Sequence, residues 1–278
     1  MGGTVSGTPP VDRTAVLTIV GRDLRAVRRS KAITLPMLLV PVSLLVLLPV
    51  AVGLLARSAP TDSVQRALES SVLERLADPI LQFPPRERLV VLVLGYLLSP
   101  LLLVLPLMVS AVLAADAFAG EKERRTLEVL LHLPISDRDL FLAKVLSAYV
   151  PAVLITWVGA IVYAVVANAV AWPVTGRLFL PFSQFVAVVA WVAPAVALLA
   201  LGLLVIVSSR ARTTQEANQL GGAVILPLVF VAAAQASVLM LLPVLGVVAV
   251  GLAVWLAALG LLWWNARYFT RDRLASAG

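Results

Sequence analysis

Residues able to carry out covalent or metal chemistry are scarce in this sequence. Its 278 residues include no Cys and a single His, His132. That excludes a disulfide framework, a thiolate metal site and a cysteine nucleophile. One imidazole cannot build a histidine metal cluster, and there is no HExxH motif for intramembrane proteolysis. No GxxxxGK[ST] segment occurs, so the chain encodes no phosphate loop for ATP. No catalytic residue, metal ligand or resident cofactor is therefore expected. The one dense cluster of reactive groups is ionic and runs Glu121-Lys122-Glu123-Arg124-Arg125-Thr126-Leu127-Glu128. Leu127, Leu130 and Leu131 follow at i, i+3 and i+4, an apolar stripe on a short helix that Pro134 stops. Such a helix suits protein recognition: the stripe docks in a groove of a partner, and its acids pair with basic residues there. The same residues also read as a solvated charge run paired with itself, Glu121 with Arg125 and Arg124 with Glu128. Spacing leaves both readings open. Ser136-Asp137-Arg138-Asp139 then fits a capping box that opens another helix.

The elements that must carry this segment are hydrophobic. The chain is 61% hydrophobic and 13% charged, with a mean hydropathy of +1.00. Soluble domains hold about 45–50% apolar and about 25% charged residues. A net charge of +7 would suggest nucleic acid in a soluble protein. In a membrane protein it reports Lys and Arg held on the cytoplasmic face, so no nucleic-acid partner is expected. A hydrocarbon core of ~30 Å needs ~20 apolar residues of helix. Long uncharged runs place spans at about 32–56, 89–115, 145–171 and 181–207. The last uncharged stretch, Ala217 to Ala266, is too long for one span. Pro243 and Gly246 mark a tight turn at its middle, giving spans at 218–242 and 244–264. Residues 1–31, 116–144, 208–217 and the tail after Asn265 hold sixteen Lys and Arg, against six in 57–88 and 172–184. The positive-inside rule therefore puts both termini in the cytoplasm. The expected fold is all-α, with a cytoplasmic tail and interfacial helix over 1–31, a six-helix transmembrane domain over 32–266 and a cytoplasmic tail over 267–278. The first 31 residues are too polar for a signal peptide.

Residues 12–30 read as an amphipathic helix. Leu17, Val20, Leu24 and Val27 share one face, and Arg22, Arg25 and Arg29 another. It either lies among anionic lipid headgroups or is a basic flank that fixes topology. Residues 62–77 read as a second amphipathic helix on the outside. No Asp, Glu, Lys, Arg or His falls near the centre of a span, which counts against a proton- or ion-coupled carrier. Neutral polar residues in or near the spans include Ser99, Ser110, Thr156, Asn168 and Gln235. Interhelical hydrogen bonds, worth ~0.6–1.7 kcal/mol, account for such residues. Gln235 is the best placed to touch cargo, with Asn168 and Thr156 as further candidates to line a pathway. Pro36, Pro41, Pro49, Pro100, Pro106, Pro151, Pro194 and Pro227 punctuate the spans, as packing kinks or as hinges. Ala249, Ala253 and Ala257 form a small-residue stripe suited to close helix contact.

The run EKERRTLEVLLHLPISDRDLFLAK resembles the cytoplasmic signature of ABC-2 type permeases, the membrane subunits of ABC exporters. Their pattern is E-[KR]-E-x-G-T-L-E-x-L-L, then a small residue, Pro-[ILV]-Ser and a helix with a Gly-Lys or Ala-Lys pair. Glu121, Glu123, Thr126, Leu127, Glu128, Leu130, Leu131, Pro134, Ser136 and Lys144 match it. Arg125 replaces the usual Gly and Leu133 the small residue. Residues 208–217 resemble the family's second cytoplasmic turn, and the basic N-terminal helix and six-span layout also fit. The resemblance implies that helix 121–133 is a coupling helix seated on a separate ABC ATPase subunit, which binds ATP and Mg. It implies a second permease copy or paralogue, an ATP-driven export cycle by alternating access, and a multi-pass location in a prokaryotic plasma membrane. The rival readings are an ATPase-independent carrier or channel, and a membrane scaffold that recruits a cytoplasmic protein.

Overall fold

Inside a bilayer no water satisfies backbone N–H and C=O groups, so long apolar runs must fold as helices. The computed structural model describes residues 41–58, 80–117, 137–210 and 213–268, with isolated positions 18, 20, 21 and 39. Within these, the side chains at 137–138, 209–210, 214, 218, 231–238, 240–241 and 268 lie outside the description. Helices dominate the described residues, and no strand occurs among them. In chain order they are α1 (Ser43–Ser58), α2 (Pro85–Ala115), α3 (Asp137–Thr175), α4 (Ser183–Ser208), α5 (Thr214–Leu241) and α6 (Val244–Tyr268). Four of them, α2, α3, α4 and α6, are long and apolar enough to cross a membrane. This is the helical body of a polytopic membrane protein.

Some boundaries differ from the apolar runs. α3 has 39 residues and is ~58 Å long at 1.5 Å per residue. It begins at Asp137, eight residues before the span expected from 145, because charged residues on a packed helix need not leave it. Gly246 lies in the first turn of α6, not in the turn before it. Its N–H and that of Val247 both donate to the Pro243 carbonyl, at 2.8 and 3.2 Å. The stripe of Ala249, Ala253 and Ala257 faces outward. The buried face of α6 is instead Val247, Gly251, Ala258 and Asn265. An Ala repeat in an Ala-rich chain does not fix which face packs.

Two apolar cores stack along the bundle. One gathers Leu107, Leu113, Ala148, Ala152, Ala197, Leu201, Leu204 and Ile225 from α2 to α5. The other gathers Leu45, Leu94, Leu105, Ala160, Tyr163, Ala167 and Phe185 from α1 to α4. Without a hydrophobic drive between helices in lipid, small residues let backbones approach. A side chain on Gly53 would meet Val170 at 2.6 Å, and one on Gly159 would meet Leu45 at 2.8 Å. Thus α1 and α3 touch through glycine on both sides.

Three prolines share one local device. Pro49, Pro100 and Pro194 each lie two residues beyond a turn widened to i→i+5 bonding: Ser43–Leu47, Leu92–Leu98 and Val188–Val192. The Leu48 N–H accordingly donates to the Ser43 carbonyl, and the Ala193 N–H to that of Val188. Proline lacks an N–H and crowds the carbonyl four residues back, and a widened turn relieves that crowding. In the wide register Pro194 would have bonded Val189, and Pro100 would have bonded Gly95. Side chains take those acceptors. Trp157 Nε1 donates to the Val189 carbonyl at 3.1 Å, and Ser99 Oγ donates to that of Gly95. Pro151 and Pro173 in α3 and Pro227 in α5 stay within regular helix.

Candidate functional site

The segment with the strongest recognition chemistry, helix 121–133 with Glu121, Glu123, Thr126, Leu127, Glu128, Leu130 and Leu131, lies outside the described residues, as does Pro134. So do Arg22, Arg25 and Arg29. What is described is the platform from which that segment departs and to which it returns. α2 ends at Ala115, where Ala115 packs on Ala217 of α5. α3 starts at Asp137, and its Phe141 and Val145 pack with Leu198 and Val205 of α4 and Ala258 of α6. Asn265 of α6 donates from Nδ2 to the Gly202 carbonyl of α4 at 2.7 Å. Thr213 caps α5 by accepting the Glu216 N–H at 3.1 Å, which satisfies one of the orphan donors of a helix start. The ends of five helices are therefore locked together around the departure point.

Two charged residues are buried on this platform. Asp139 is 6% exposed and Lys144 is 3% exposed, and neither is without a partner. Uncompensated burial of either charge would cost several kcal/mol. Among the described residues no group of three or more His, Asp or Glu is placed to hold a metal ion.

Of the three expected pathway residues, the side chains of Thr156 and Asn168 are described. Thr156 and Asn168 are twelve residues apart on α3, about 18 Å along its axis. Thr156 is buried and donates to the Ala152 carbonyl of its own helix at 2.7 Å. Asn168 is buried and organises the α3–α4 connection. Its Nδ2 donates to the Ala164 and Leu180 carbonyls at 2.8 and 2.9 Å. Its Oδ1 accepts the Phe179 and Leu180 N–H groups at 3.0 and 3.2 Å. Gln235 lies within α5, with its side chain outside the description. Of the in-span hydroxyls, Ser110 makes the expected interhelical bond, to the Ala197 carbonyl at 3.3 Å. Ser99 and Thr156 bond within their own helices instead, because a carbonyl one turn back is always in reach.

The opposite end of the bundle is closed by groups that sequence reasoning passed over. Glu87, in the first turn of α2, receives Arg177 Nη2 from the α3–α4 connection at 2.9 Å. The Arg177 guanidinium also lies 5.3 Å from the Phe83 ring centroid. Arg88 holds the preceding turn by donating to the Phe83 and Leu81 carbonyls at 3.0 and 3.3 Å. Tyr96 stacks on Phe182 at 5.5 Å, and the buried Tyr163 hydroxyl donates to the Leu94 carbonyl. The available signal was chemical: a Tyr or Trp within an apolar run must find a partner for its polar atom. The Glu87–Arg177 pair is asymmetric, with side-chain exposures of 11% and 54%. Arg177→Ala strands a largely buried carboxylate and should cost about 1–2 kcal/mol, between the ranges for exposed and buried pairs. Glu87→Gln leaves a hydrated guanidinium and should cost less. Thermal unfolding midpoints in detergent check the order; the reverse order would show that Glu87 is not the member that depends on the pair.

Residues 17–259 match the family model of the ABC-2 family transporter proteins. No curated protein sequence matches the chain significantly.

Proposed function

The chain belongs to the ABC-2 family of transporter proteins, and from that membership we propose that it is the permease subunit of an ATP-driven exporter whose ATPase is a separate chain. The observation that carries this reading is the family match over residues 17–259, which encloses the whole EKERRTLEVLLHLP segment. In this reading α1 to α6 are six spans with both termini in the cytoplasm. The sixteen-to-six distribution of Lys and Arg supports that orientation. Helix 121–133 seats on the ATPase subunit, which binds ATP and Mg. A second permease copy or paralogue completes the pathway in a prokaryotic plasma membrane. Closure of the ATPase pair pushes on helix 121–133 and on the N-terminal amphipathic helix. The locked platform of α2 to α6 ends passes the push into the spans, which alternate between inward- and outward-facing states.

Affinity purification from the native membrane in mild detergent tests this. The expected result is a stoichiometric co-purifying protein with a phosphate loop, together with ATP hydrolysis. Leu130→Asp places a charge in the docking stripe and Glu128→Lys reverses a partner-facing charge. Each should reduce partner recovery by about tenfold or more, a loss of ~1.4 kcal/mol in affinity, with the spans still inserted. Wild-type recovery and export in either variant would remove helix 121–133 from the interface. Gradient-driven flux by the chain alone in liposomes would replace the exporter with a secondary carrier.

A further inference from the structure

A groove of about 790 Å³ opens sideways between α3 and α4. It runs from Trp157 to Trp172 on α3 and is flanked beyond them by Leu178 and Pro181 of the connection to α4. Its lining includes Ala160, Ala164 and Ala169, short side chains that leave the hollow open. We propose that this groove seats an acyl chain of a single bilayer phospholipid, drawn from the leaflet at the α3–α4 connection. The proposal rests on the orientation given above only in naming that leaflet the outer one.

Four observations select this occupant. Two polar side chains on the wall, those of Asn168 and Trp157, are already committed. Asn168 uses both oxygen lone pairs and both amide hydrogens on the protein backbone, and Trp157 Nε1 is held by the Val189 carbonyl. A polar or charged ligand would therefore lose its hydration and find nothing in return. The rim is aligned with the lipid-facing surface: Ile161 is 66% and Val165 63% exposed on a helix long and apolar enough to span. The fifteen helical steps from Trp157 to Trp172 give the groove a length of ~22 Å, more than the ~15 Å depth of one leaflet. At one end Trp157 is tied to Val189. At the other end Trp172 sits half-exposed one turn before the helix ends, where indole rings favour the headgroup level. Arg177, next in sequence to the lining Leu178, has its Nη2 paired with Glu87 but its guanidinium half-exposed, which leaves N–H donors matched in charge to a lipid phosphate.

The test uses the full chain in vesicles of phosphatidylethanolamine and phosphatidylglycerol, doped with a phosphatidylcholine that bears a photoactivatable diazirine within one acyl chain. Labelled positions are mapped by mass spectrometry after irradiation. The face of α6 bearing Leu252, Leu256 and Leu259, 50–64% exposed, is the reference for ordinary lipid contact. Labelling of the groove should exceed it by about tenfold, a preference of ~1.4 kcal/mol. Ala164→Phe and Ala169→Phe fill the hollow and should bring groove labelling down to the α6 level, with α6 unchanged. Equal labelling of groove and α6, or groove labelling indifferent to both Phe variants, would overturn the proposal. So would an Ala169→Cys disulfide between two chains in the membrane, which would give the groove to a second copy. Because labelling needs neither nucleotide nor ATPase, an enriched groove on a chain that binds no ATPase would uphold the lipid site while sinking the exporter reading.

Discussion

Replacing Asn168 by Leu is expected to cost about 4 kcal/mol, because three buried or half-buried backbone groups lose their only side-chain partner at once, at ~1–3 kcal/mol each. These are the Phe179 and Leu180 N–H groups and the Leu180 carbonyl, all on the short path that turns α3 back into α4. Leu is close to Asn in size and more apolar, so hydrophobic transfer alone predicts a gain. The sign of the result therefore separates packing from polar satisfaction. On the scale of ~2–4 °C per kcal/mol for a chain of this size, the midpoint in detergent should fall by roughly 10 °C. Asn168→Asp keeps the acceptor for both N–H groups but turns a carboxylate oxygen toward the Leu180 carbonyl, and should be at least as damaging. A Leu variant that melts within 2 °C of the parent, as an order-of-magnitude threshold, would show that the connection is held by its own packing. The Glu87–Arg177 pair and the Tyr96–Phe182 stack would then be its main supports.

Much of the fold was legible because membrane folds obey few rules. Runs of uncharged residues announced helices, and Pro243 announced the break between α5 and α6, since a chain with no N–H at that point restarts a helix more easily than it continues one. What remained illegible was rotation and depth. The outward face of Ala249, Ala253 and Ala257, and the burial of Gly251 and Ala258 instead, depend on which neighbour a helix meets. Apolarity on every side of a span carries no such information. The prolines were visible, but two outcomes were open to each. Kink and hinge are both local, whereas the observed consequence at Pro194 is tertiary: an acceptor on α4 is met by Trp157 of α3. Asn168 was marked as polar within a span, and its role required knowing that the chain doubles back within reach of it twelve residues later. For residues 121–133 the position is reversed. They carry the most specific sequence pattern in the chain, and they lie outside the described residues.

The contact between α4 and α6 supplies the other large effect. Gly251 of α6 lies directly beneath the Trp191 indole, and a Cβ there would fall on the ring atoms Cδ1 and Nε1. That ring cannot swing aside freely. Its Nε1 donates to the Val248 carbonyl at 3.2 Å, it packs 5.8 Å from the Trp255 ring, and Trp255 Nε1 donates to the Trp191 carbonyl at 3.2 Å. The two tryptophans are thus cross-linked in both directions, each using a backbone acceptor on the other's helix, and the second acceptor lies in the widened turn before Pro194. Gly251→Leu must therefore displace Trp191. It forfeits a hydrogen bond worth ~1 kcal/mol and an aromatic pair worth ~0.5–1.5 kcal/mol, and adds overpacking strain of ~1–3 kcal/mol. A loss of about 4 kcal/mol is expected, read as a lowered unfolding midpoint in detergent. The decisive control is the double variant Gly251→Leu with Trp191→Ala, in which the indole that obstructs Leu is absent. If steric conflict is the cause, the double variant should be more stable than the sum of the single effects requires, by about 2 kcal/mol of coupling. Strict additivity would mean that Gly251 is needed for its backbone and not for the space it leaves, and that α4 and α6 approach each other for reasons other than the Trp191–Trp255 tie.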